Sequence, residues 1–111
     1  MRTLYRTPEF DEFYETLDER VKTKFKYTFE VIKSVYALPV KYVKRLEGTD
    51  LYEMRVSVGY NEYRTVLFAV DNENIILSTK IILLNGFLKK SSKDYQKQIA
   101  KARRILKDLE L

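Results

Sequence analysis

Apolar residues recur with two different periods along the chain, and the changes of period divide it into elements. Phe10, Phe13, Tyr14 and Leu17 fall at i, i+3, i+4 and i+7, with Asp11, Glu12 and Glu15 on the other side. That spacing predicts an amphipathic helix. Thr7 and Pro8 supply its start, a hydroxyl cap followed by proline at the first helical position. Beyond a break near Asp18, Val21, Phe25, Phe29, Ile32 and Tyr36 keep the helical period until Leu38-Pro39 ends it. The two segments predict a helical hairpin, preceded by a short strand at "TLYR" (3–6).

Period two takes over after "EGTD". In residues 51–58, Tyr52, Met54, Val56 and Val58 alternate with Glu53, Arg55 and Ser57. Gly59 and Asn61 in "VGYNE" (58–62) tolerate positive φ and turn the chain. "YRTVLFAV" (63–70) predicts the next strand, "DNEN" (71–74) a turn, and "IILSTKIILLNGF" (75–87) a last strand. That last stretch is almost continuously apolar, as in a strand covered on both faces. The remaining residues predict a helix with Tyr95, Ile99, Ala102, Leu106 and Leu109 on one stripe and bases opposite. No repeat, linker or low-complexity tract interrupts the pattern, so residues 1–111 read as one α+β domain.

Composition narrows the chemistry. The 111 residues contain neither cysteine nor histidine, which removes thiolate nucleophiles, the usual general base and the usual transition-metal ligands. No metal and no cofactor are expected. Any reaction must be run by Lys, Arg, Tyr, Asp or Glu. No apolar run approaches the roughly 18–20 residues of a membrane span, and "MRTLYRTPEF" lacks a signal-peptide core, so no membrane partner and a cytoplasmic location are expected. The formal net charge is +5, and its distribution matters more than its size. Acids and bases balance up to Leu38. Between Lys89 and Lys107 eight bases face Asp94 alone, which points to an acidic partner.

Arg55 and Arg64 are the candidates on the sheet. Alternation turns Arg55 away from Met54 and Val56, towards the side of Glu53 and Ser57. Arg64 opens the following strand. Two readings fit: solvated arginines paired with Glu53 or Glu62, or a cradle for an anion, since the guanidinium fork suits phosphate oxygens. Lys89 and Lys90 leave the last strand together and add to the second reading if strand order brings them to the same rim. Tyr95 could stack on a base, move a proton, or pack into the core. Glu62 is a further possible base. Tyr14, Tyr36 and Tyr52 lie on apolar stripes and read as core.

The order "VKRLEGTDLYEMRV … GYNEYR … LLNGFLKKS" resembles the RelE/HigB-type toxins of bacterial toxin–antitoxin modules, in the RelE/ParE superfamily, and within it the phage-derived HigB-like branch. The likeness covers nearly the whole chain. It implies a RelE-like fold: an N-terminal strand and helical hairpin packed on a small, mostly antiparallel sheet, closed by a C-terminal helix. It also implies a ribosome-dependent endoribonuclease that cuts messenger RNA in the ribosomal A site without a metal and is held by a cognate antitoxin, acidic or helix-turn-helix in type. The family's catalytic positions fall on Arg55, Arg64, Lys89 or Lys90, and Tyr95. Glu53 stands where some members carry another lysine, and the histidine of certain HigB-type proteins is missing. A ParE-type gyrase poison on the same fold, or a non-catalytic RNA- or ribosome-binding module, are the alternative readings.

Overall fold

Thr7 sets the first boundary. In the computed structural model, which describes residues 1–110, its hydroxyl accepts the Phe10 N–H at 3.0 Å and opens helix α1, Pro8–Glu15. The same hydroxyl donates to the Leu84 carbonyl at 2.5 Å, which ties the helix start to the sheet. Asp18 caps α2, Glu19–Ser34, through the Val21 N–H at 3.0 Å.

Helix α2 stops short of the expected Leu38. The reason is Arg2, whose buried guanidinium donates to the carbonyls of Ile32 (2.8 Å), Val35 (2.6 Å) and Tyr36 (2.6 Å). Those oxygens lie at and just past the helix end, where intrahelical donors run out, and Val35 turns extended. Two further bonds run from Arg2 to the carbonyls of Ile75 and Ile76. One side chain thus clamps the helix exit to a distant loop. Tyr36, expected in the core, falls past this stop and is 67% exposed.

The strands are β1, Thr3–Arg6; β2, Val43–Arg45; β3, Tyr52–Val58; β4, Asn61–Ala69; and β5, Lys80–Leu88. They form one sheet in the order β1-β5-β4-β3-β2, with β1 parallel to β5 and every other pair antiparallel. Two differences from the sequence pattern stand out. β2 is only three residues long, too short for a period to show. The last strand begins at Lys80 and not at Ile75. Residues 75–79 instead form a turn in which the Asn74 carbonyl accepts Leu77 and Ser78 N–H groups and the Asp71 carboxylate takes Thr79 and Lys80 N–H. Side-chain acceptors of this kind offer the backbone an alternative to the ladder.

Helices α1 and α2 cover one face of the sheet over Phe10, Phe25, Ile32, Met54, Leu67 and Leu83. Helix α3, Ser92–Asp108, covers the other over Val66, Leu84, Phe87, Ala102 and Ile105. This is the strand, hairpin, mostly antiparallel sheet and closing helix anticipated from the sequence. A bulge at Leu84 decides which β5 residues meet which helix. Val66 pairs with Asn85 but Leu67 pairs with Leu83, so one β5 residue is extra. After it, Gly86 turns to α1, where Phe13 fills the space a Cβ would take, and Phe87 turns to α3.

Replacing Arg2 by Ala strips five carbonyls of a charged donor and is expected to lower stability by about 3 kcal/mol. The urea midpoint of the variant, read by far-ultraviolet circular dichroism, checks this.

Candidate functional site

The sheet face beneath the start of α3 carries an unusual row. Arg55 on β3 stands directly opposite Arg64 on β4, and Arg64 opposite Phe87 on β5. Like charges at opposed positions destabilise a sheet unless something lies between them. Here that something is Glu53, two residues before Arg55 and on the same face. Its Oε2 lies 3.3 Å from Arg55 Nε and 3.1 Å from Arg64 Nε. The approach to Arg64 Nε is out of line for a hydrogen bond, so that contact is Coulombic. The other carboxylate oxygen, Oε1, accepts a short hydrogen bond from the Tyr95 phenol of α3. Both Glu53 and Arg64 are buried, Arg64 to 2% exposure, while the Arg55 side chain keeps 31%.

Tyr95 is held from two sides. Its ring meets Phe87 edge to face at 5.2 Å and 87°, and the Asn85 amide bonds the Gln98 carbonyl one turn along at 3.1 Å. Both β5 partners depend on the bulge. Burial of the phenol, together with its bond to the Glu53 carboxylate, raises the Tyr95 pKa well above the ordinary 10, against a smaller opposing effect of Arg64. Tyr95 therefore keeps its proton and donates a hydrogen bond to Glu53 over the whole neutral range.

Strand order brings the end of β5 to the same rim. Lys89 N–H donates to the Glu62 carbonyl at 2.8 Å, and Glu62 Oε1 lies 3.5 Å from Arg64 Nη2. The Glu62 carboxyl is held below its ordinary pKa, first by the Ser57 hydroxyl and then by Arg64 and Lys89, with burial opposing. That makes Glu62 a weaker proton acceptor than a free carboxylate. Lys90 follows, exposed, at the lead into α3.

Of the residues singled out from sequence, Arg55, Arg64 and Tyr95 meet at one carboxylate, Lys89 reaches the adjoining rim, and Lys90 is exposed and makes no ion pair among the described residues. Two corrections follow. Arg64 is not on an open face; α3 and Phe87 bury it. The anion between the two arginines is the chain's own. Glu53, read from the sequence as one possible partner of the arginines and as a departure from a lysine, is the residue at the centre. The signal was its i, i+2 spacing from Arg55, which fixes a shared face but not a shared partner on the next strand.

The profile of the phage-derived Gp49-like proteins matches residues 12–107. Solved structures are similar at the level of fold. A doubly substituted E. coli toxin RelE in the free state aligns with TM-score 0.60 at 17% identity, over 90% of this chain and 96% of that one. The isolated E. coli RelE toxin gives 0.59 at 18%, over 91% and 98%. The intact E. coli RelBE toxin–antitoxin complex gives 0.57 at 15%, over 82% and 100%. Among curated proteins no sequence match is found.

A phenol whose pKa is raised by folding contributes stability that is complete below about pH 10 and lost as pH climbs towards the folded value. Stability is expected to fall above pH 10, and less steeply in Tyr95→Phe than in the parent chain; urea titrations at pH 8 to 11 measure the difference. Replacing Glu53 by Gln leaves two opposed guanidinium groups without their shared counterion, the buried one keeping only Glu62 at the rim. It is expected to cost about 3–5 kcal/mol by the same assay.

Proposed function

The chain belongs to the phage-derived Gp49-like family, and from that premise we propose that it is a toxin of the RelE kind: an endoribonuclease that cuts messenger RNA on the ribosome and stops translation. The observation that carries this reading is the meeting of Arg55, Arg64 and Tyr95 at Glu53 on a RelE-like fold, with Lys89 on the rim.

The reaction is attack of a ribose 2′-hydroxyl on its own phosphate. A bond forms from O2′ to phosphorus, the bond to O5′ breaks, and the products are a 2′,3′-cyclic phosphate and a 5′-hydroxyl. Arg55, the more exposed of the pair, receives the phosphate. Arg64 sits behind it and is reached only as the cover of Tyr95 or the Glu62 side chain gives way. The 2′ proton passes to the Glu53 carboxylate. Once neutral, Glu53 no longer occupies the two guanidinium groups, and they meet the extra charge of the phosphorane. The departing 5′ oxygen takes its proton from the ammonium of Lys89 or Lys90. Tyr95, its pKa raised, keeps the carboxylate oriented by donating to Oε1.

The partner implied besides ribosome-bound messenger RNA is an antitoxin. The RelBE structure joins the E. coli toxin to its antitoxin; for this chain the corresponding protein would carry an acidic segment. Its targets are Arg55, Lys89 and Lys90 together with Lys93, Lys97 and Lys101, which are exposed along α3.

Induced expression followed by mapping of transcript 5′ ends tests the proposal. New ends in register with the reading frame are expected, with 5′-hydroxyl termini. Arg55→Ala is expected to keep the parent's circular dichroism and to lower the cleavage rate about 10²–10³-fold, the effect of removing one charge-stabilising donor. Growth arrest without new ends would reject cleavage and favour a gyrase-directed or purely binding toxin.

A further inference from the structure

A second cluster of bases lies across the β3 edge from Glu53, and apart from Arg55 the reaction above makes no use of it. Lys24 and Thr28 of α2, Lys41 and Tyr42 ahead of β2, and Arg55 and Ser57 of β3 line a cleft of about 60 Å³. It has room for a few waters, enough for phosphate oxygens. No carboxylate lines it. Lys24 and Lys41 are exposed and form no ion pair among the described residues. Tyr42 lines the cleft and Tyr27 stands beside it. Tyr27 and Tyr42 have ring centroids 6.4 Å apart and tilted by 54°, with Lys41 Nζ 5.5 Å from the Tyr42 centroid. Tyr27 is 56% exposed.

Arg55 belongs to both places. Its Nε faces Glu53 at 3.3 Å, while its Nη1 reaches the Val40 carbonyl at 3.4 Å, on the cleft side. A strand of phosphates lying on Arg55 therefore has a continuation that meets two further cations, two hydroxyls and an aromatic face, with Val56 as the one aliphatic wall. Bases tracking a backbone, with rings to stack on, are what single-stranded nucleic-acid sites combine. The cleft is too small to take a protein helix, and the only charges around it are positive.

We propose that this cleft is a second phosphate subsite, which holds the phosphodiester next to the one being cut, with Tyr27 and Tyr42 stacking on the flanking bases of single-stranded RNA. The inference rests on the RNA-directed reading of the Glu53 site but concerns binding and not the chemical step. Lys24 and Lys41 set affinity and the path of the strand; they touch no reacting atom.

The test has a binding arm and a cleavage arm. Binding of a fluorescein-labelled single-stranded RNA dodecamer is followed by anisotropy between 50 and 200 mM salt, for the parent chain and for the Lys24→Ala/Lys41→Ala double variant. Two lost phosphate contacts should reduce the slope of log affinity against log salt by about 1.4 and weaken binding about tenfold. Tyr27→Ala should weaken binding with the slope unchanged. In the cleavage arm, on ribosomes programmed with messenger RNA, the double variant should need about tenfold more substrate for half-maximal rate and keep its saturated rate within about twofold. A double variant with the parent's affinity and salt slope overturns the subsite and leaves the Glu53 reading intact. A parent chain that binds the dodecamer through Lys24 and Lys41 yet never cuts keeps the subsite and removes the nuclease.

Discussion

One carboxylate between two guanidinium groups holds the sheet face beneath α3 together. Arg55 and Arg64 are opposed across β3 and β4, and Arg64 is shut off from solvent. Without Glu53 the pair would face each other with only the half-exposed Glu62 near Arg64, and a buried, poorly paired charge is among the largest single defects a fold can carry. With Glu53 in place the cluster is neutral enough to be buried, and Glu62 adds a weaker second counter-charge at the rim. The sheet can therefore keep two arginines on adjacent strands under a helix, a placement that neither β-propensity nor simple alternation favours.

The roof over that cluster depends on the bulge at Leu84. Strict alternation from Leu83 would send Asn85 and Phe87 to the α1 face and Gly86 to the α3 face. The inserted residue reverses this. Asn85 then reaches Gln98, Phe87 meets the Tyr95 ring, and Tyr95 in turn reaches Glu53. On the opposite face, Gly86 leaves the gap into which Phe13 packs. A single irregularity in one strand thus sets the position of a side chain on a helix, which sets the environment of a carboxylate on a third element.

How far the sequence could show this differs residue by residue. The cap at Thr7, the stripes of α1 and α2, and the parity that puts Arg55 beside Glu53 are all local, and local patterns are legible. The end of α2 was not, because its cause is Arg2, thirty residues earlier. The start of β5 was not, because Ile75 and Ile76 look like strand until Asp71 and Asn74 are seen to claim the backbone. Tyr95 reads first as core from its place on the α3 stripe; its ring does pack on Phe87, and its hydroxyl also reaches Glu53. The burial of Arg64 depends on strand order, on the bulge and on where α3 lies. None of these has a period.

A site that carries its own anion imposes a condition on the proposed reaction. In the ground state a phosphodiester must share two guanidinium groups with an ionised Glu53, so it is held weakly. In the transition state the proton has moved to Glu53 and the charge has moved to phosphorus. The total charge between the arginines is unchanged, but it sits on the group that reacts. Interactions that strengthen only at that point raise the rate without tightening the substrate. The affinity then has to come from contacts away from the scissile bond. The bases along α3 and the cations beyond Arg55 are placed to provide it. On this view the separation of binding from chemistry is a consequence of Glu53: a lysine at that position would attract the phosphate before the reaction began and would leave less to gain during it.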